Sequence, residues 1–92
     1  MNDLKEIDLR IENNLIRKQE FKNQISIINL RMIFLRNKIK ILTFEYDFIE
    51  IEKIIILLKD YEEDKDFVKI KINHLNNFID EDRKLKNKLL FN

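Results

Sequence analysis

The chain of 92 residues has no cysteine, glycine, proline, alanine or tryptophan. Without cysteine, disulfides, thiolate metal sites and sulfur redox chemistry are excluded. Without glycine there is no phosphate-cradling loop, no calcium loop with its turn glycine and no nucleophile elbow. Long apolar runs are also missing. The longest, Ile54 to Leu58, has five residues, against the roughly 18–20 needed to cross a bilayer. The opening residues lack the charged-then-apolar layout of a signal peptide, so a cytoplasmic address is expected. Missing glycine and proline normally signal uninterrupted helix. Here isoleucine, lysine and asparagine are abundant, as AT-rich codons would produce, so that signal is weakened. Turns are then expected from Asn, Asp and Lys.

The strongest pattern present is a seven-residue repeat. Phe21, Ile25, Ile28, Met32, Leu35, Ile39, Leu42, Tyr46 and Ile49 follow one another at three- and four-residue steps. That spacing keeps one side of an α-helix apolar and is shared by coiled coils and antiparallel bundles. Leu4, Ile7 and Ile11 begin the same stripe, which falters at Asn14 and Lys18. A second series runs beside it: Ile27, Leu30, Phe34, then past Asn37 Ile41, Phe44, Phe48, Ile51, Ile55 and Leu58. A helix carrying two such series needs cover on more than one side. The segment Lys38–Ile51 is also rich in β-branched and aromatic residues, but its alternation breaks at Ile41–Leu42 and at Phe48–Ile49, which favours helix over strand.

These patterns imply an all-α chain: a long-helix antiparallel hairpin, or a three-helix bundle, with coiled-coil-like packing. The expected single domain, 1–92, has a helix over about 3–58 that would span about 83 Å, with a possible break near 37–45. Asp3 with Glu6 fits a capping box at its start. The polar run Lys59–Asp66, with Asp60 and Glu63 at the same spacing, places the turn at about 59–64. A shorter helix follows over about 64–90, with Val68, Ile72, Leu75 and Ile79 as its stripe.

The net charge of +1 hides two opposed blocks. Residues 17–40 hold seven bases against Glu20, and residues 45–66 hold nine acids against three lysines. Blocks of opposite sign suggest surfaces that face each other, within one chain or between two. The basic block alone would suit phosphate, yet no nucleic-acid motif accompanies it and the acidic block can neutralise it. Nucleic acid and membrane are therefore set aside as partners.

Catalytic groups are sparse. His74, the one histidine, has no His or Cys companion, and acid pairs such as Asp47 with Glu50 lack a ligand loop. Ile7-Asp8-x-x-Ile11 with Leu15 is loosely similar to the first helix of the all-helical chorismate mutases. That likeness is rejected: Lys18 stands at the matching first-helix position, and Asp47 to Glu52 is acidic where that family carries arginine. Glu45-Tyr46-Asp47 resembles a tripeptide midway along tubulin-binding cofactor A, but the proline motif that follows in that family is missing and the assignment is not adopted.

The chain thus reads as a non-enzymatic helical interaction module: a small scaffold, adaptor or assembly chaperone, with no cofactor and no metal. Its expected partner is a second copy, as a dimer or higher oligomer, or another helical protein. The expected contact residues are Phe34, Phe44, Phe48, Ile51, Ile55, Asp60, Glu62 and Glu63. The rival reading is a compact monomeric inhibitor or immunity-type protein, meeting an enzyme or toxin through the acidic face Asp60–Asp66. On the stripe as read, Leu35→Asp and Ile49→Asp should each unfold the protein or dissociate its oligomer, because each buries an unpaired charge. Melting temperature and mass measure both outcomes.

Overall fold

A computed structural model describes residues 2–91. They form two helices, α1 (Asn2–Phe44) and α2 (Phe48–Phe91), joined by residues 45–47. The fold is all-α, and the described residues contain no strand, so the extended alternative over 38–51 is excluded. There are two helices among the described residues, not three.

The turn lies well before the position expected. Residues 59–64 are inside α2, and the helix expected over 3–58 ends at Phe44. The physical reason is in the three linking residues. Leu42 O accepts from Asp47 N at 3.0 Å, and Thr43 O accepts from Tyr46 N at 3.2 Å. This is the Schellman pattern, in which a left-handed residue follows the helix end and the orphan carbonyls are satisfied. Tyr46 is that residue, with φ 61°. Asp47 then starts the next helix: its Oδ1 accepts from Glu50 N at 3.3 Å, as an N-cap does. Asp-x-x-Glu occurs at Asp3, Asp47 and Asp60, and the copy at Asp47 is the one that opens α2. The acid pair Asp47 and Glu50 is thus part of the turn.

Contacts group the chain into two compact units, one of residues up to 22 with those from 69 onward, the other Asn23–Val68. In the second unit the helices run antiparallel from the turn. The buried residues of α1 are Met32 and Leu42, with Ile25, Ile28, Leu35 and Ile39 half-buried. In α2 they are Ile51, Ile54 and Val68, with Leu58, Tyr61 and Lys65 half-buried. Both sets step by three and four, two positions in seven, so each helix gives the other one narrow stripe, and the two stripes meet as a seam. Leu42, Ile51 and Ile54 form the core cluster beside the turn, with Leu35, Ile39 and Leu58 packed on it. This seam explains why the charged run 59–64 does not break the helix. Only Tyr61 is needed at the seam there, and the acids beside it face water.

In the other unit Ile7, Leu75 and Ile79 are buried, with Ile11, Phe21 and Ile72 half-buried. Asn14 and Lys18 keep their seam places, half-buried, so the faltering stripe does not interrupt the helix. Two further seam places are ionic and are matched from α1. Arg10 donates to both carboxylate oxygens of Asp82 at 2.8 and 3.3 Å, and Lys86 meets Asp8 at 2.6 Å. The hydrogen bond to Asp82, and then its charge, raise the pKa of Arg10 above its ordinary value. Lys71 Nζ lies 5.4 Å from the centre of the Phe21 ring, within cation–π range.

Tyr46 and Ile49 continue the seven-residue phase of α1 in sequence but are 78% and 73% exposed. The expectation for Ile49→Asp is therefore revised: it should leave the melting temperature nearly unchanged, whereas Leu35→Asp should cost several kcal/mol. Thermal unfolding of both variants checks the assignment of the seam.

The turn makes its own prediction. A left-handed non-glycine residue costs roughly 1–2 kcal/mol, and Asn tolerates that conformation better. Tyr46→Asn should stabilise the protein by about 0.5–1 kcal/mol after losing the edge-on contact of Tyr46 with Phe48. Asp47→Ala should destabilise it by about 1 kcal/mol. Denaturant titration reads both; opposite signs would place the turn elsewhere.

Candidate functional site

In the unit Asn23–Val68, α1 is apolar on two sides. One is the seam. The other carries Ile27, Leu30, Phe34, Ile41 and Phe44, all exposed. A helix turns about 100° per residue, so Phe34 stands about 200° past Met32, on the far side from the seam. Phe34 is 68% exposed and Phe44 86%. A two-helix hairpin has no third element to cover this side, because the seam uses two positions in seven.

One flank of the hairpin is grooved. Ile27, Ile28 and Arg31 of α1 and Tyr61, Asp64, Phe67 and Val68 of α2 line an open depression of about 420 Å³. A second, of about 360 Å³, lies between Leu30, Arg31, Phe34 and Leu35 on one helix and Leu57 and Tyr61 on the other. The two share Arg31 and Tyr61, so they form one run along the flank. Its walls are mainly aliphatic and aromatic, as at the centre of a docking surface. Lys53, seven residues before Asp60, stands on this flank of α2 and pairs with Glu50 at 3.9 Å. The other charges beside the groove are segregated by helix: Arg31 and Lys38 on α1, Asp60 and Asp64 on α2. Among the described residues none of these four makes a side-chain ion pair. The opposite flank carries the link from Arg36 to Glu62, at 3.4 Å.

The residues expected to bind a partner divide between these surfaces. Phe34 lines the grooved flank. Phe44 is at the end of α1, and Phe48 at the start of α2 is exposed. Phe48, Ile55 and Glu62 are seven apart, so they share the flank where Glu62 meets Arg36. Asp60 and Glu63 are exposed on α2. Ile51 is placed differently: it is 9% exposed and belongs to the core cluster. Its surface packs on α1 and is closed to a partner. The turn at 45–47 re-phases the second series, which moves Ile51 and Leu58 from the outer face into the seam. Leu57 and Tyr61 carry no separate signal in the sequence, while Arg31 and Asp64 belong to the basic block 17–40 and the acidic face Asp60–Asp66. Tyr61 is a seam position and the other three border the seam, which becomes visible only once the turn is placed.

His74 is exposed beside Asn77, Phe78 and Glu81. Among the described residues no three His, Asp or Glu side chains converge as a cation site would require, and no helix is long and apolar enough to cross a membrane. The arrangement suits burial of an apolar surface with matched charge at its edges. No family model, curated protein or solved structure matches the chain.

Proposed function

We propose that this protein is a non-enzymatic helical interaction module, a small scaffold, adaptor or assembly chaperone, which docks on protein through the unit Asn23–Val68. The observation that carries this reading is the exposed second face of α1, from Ile27 to Phe44, continuous with a groove toward α2. Burying one such Ile, Leu or Phe is worth about 1.5–3 kcal/mol, so a row of them in water is a large driving force for association. Contiguous apolar patches of this kind mark interaction sites on proteins that are otherwise well packed. The coiled-coil character of the seam supports a scaffold role, since paired helices present side chains at fixed intervals.

The inhibitor reading is favoured by one feature, the exposure of Asp60, Glu62, Glu63 and Asp64 on one helix. It requires a basic target and a protein that stays monomeric.

The docking reading is tested with Phe34→Asp combined with Ile41→Asp. Both side chains are exposed, so the melting temperature should change by only a few degrees. Association, read as molar mass in solution and as the set of proteins captured beside wild type, should be lost. A variant with the same mass and the same captured set as wild type would contradict the assignment of this face.

A further inference from the structure

We propose that the occupant of the grooved flank is a second copy of this chain, related by a two-fold axis parallel to the helices, so that α1 of each copy lies antiparallel along α2 of the other. This rests on the docking reading above and names the partner.

Charge and symmetry select this pairing. From residue 23 to the end of α1 there are four bases and no acid. The adjoining part of α2, residues 48–68, has seven acids against three lysines. On the grooved flank, Arg31 and Lys38 stand on α1, with Asp60 and Asp64 on α2 and Lys53 nearer the turn, paired with Glu50. A face-to-face pair of hairpins can be built on either of two axes. An axis across the helices lays α1 on α1 and brings Arg31 and Lys38 against their own kind. An axis along them lays α1 on α2, which puts bases against acids twice, as a self-complementary interface requires. Arg31 and Asp64 line the same depression, so they are level along the hairpin, and the parallel axis brings Arg31 of one copy to Asp64 of the other. Ile27 and Phe34 then meet the partner's apolar side chains, and the four helices form an all-antiparallel bundle.

The projected size of the flank approaches that of a stable pair, and its side chains add accessible surface beyond the projection. The flank is about 20 residues long and two helices wide, roughly 30 Å by 20 Å, a footprint on the order of 600 Å². Stable pairs bury roughly 800 Å² of accessible surface a side. An anionic lipid surface would also attract Arg31 and Lys38, but Asp60 and Asp64 share the flank and the unit has nine acids against seven bases. Both features oppose a negative membrane.

The test uses the full chain at micromolar concentration in sedimentation equilibrium. Wild type should be a dimer. Arg31→Asp and Asp64→Arg should each weaken it at least about tenfold, which is about 1.4 kcal/mol, because each makes two like-charge contacts. Circular dichroism should show both variants folded, as the altered groups are exposed. An equimolar mixture of the two variants should dimerise again. The first variant carries an acid at both positions 31 and 64 and the second a base at both, so a mixed dimer restores both cross-chain pairs. Dimerisation unaffected by either swap would overturn the proposal. So would a mixture that stays monomeric, since the charges would then act within one chain. A monomeric wild type would also overturn it. If Phe34→Asp still strips captured proteins from that monomer, the docking reading stands without self-pairing. Binding of the monomer to phosphatidylserine-containing vesicles, without dimerisation, would overturn it in favour of a membrane surface.

Discussion

Two helices lying side by side can bury only one narrow stripe of each, and every other feature of this protein follows from that limit. In the unit Asn23–Val68 the stripe is Ile, Leu, Met and Val at three- and four-residue steps, except at Tyr61 and Lys65. It is filled almost wholly by side chains that gain about 1.5–3 kcal/mol on burial. In the other unit Asn14, Lys18, Asp82 and Lys86 occupy the equivalent places, and ion pairs from Arg10 and Asp8 satisfy two of them. A polar seam contributes less apolar burial but narrows the choice of register, a role best attested for polar groups at coiled-coil seams.

The same limit leaves apolar surface over. A helix whose second series also repeats every seven residues has more oil than one partner helix can cover. In Asn23–Val68 the surplus of α1 lies mainly on its far side and along one flank, while Phe48, Ile49, Ile55 and Ile56 are exposed on other sides of α2. The charges bordering that flank are sorted by helix apart from Lys53, which pairs with Glu50. The proposed interface rests on that combination of apolar surface and bordering charge, which differs from the single exposed leucines normal on any protein.

The seam of α1 was legible in the sequence, because Phe21 to Leu42 repeats without a slip. The turn was not, for three separate reasons. The seven-residue phase continues through Tyr46 and Ile49, so periodicity alone runs past the end of the helix. The left-handed position is occupied by tyrosine, a residue that does not advertise it, in a chain with no glycine to do so. The cap Asp47–Glu50 has two look-alikes, Asp3–Glu6 and Asp60–Glu63, and the most polar neighbourhood belongs to the last. Placing the turn too late displaced part of the site as well: Ile51 reads as an outer residue if the helix continues and as core once it has turned. The outer face from Ile27 to Phe44 lies wholly before the turn, so the turn leaves its phase unchanged.

The central claim is that the seam is covered by the chain itself and the grooved flank, with Ile27 and Phe34, by another molecule of it. The chain has no cysteine, so one introduced thiol is a unique probe. The most direct measurement is the rate of thiol labelling at Ile39→Cys and at Phe34→Cys as protein concentration is raised from nanomolar to high micromolar. The account expects Ile39→Cys to be protected throughout, and Phe34→Cys to react freely when dilute and to become protected as concentration rises. A thiol at position 34 that labels equally fast at every concentration would contradict it.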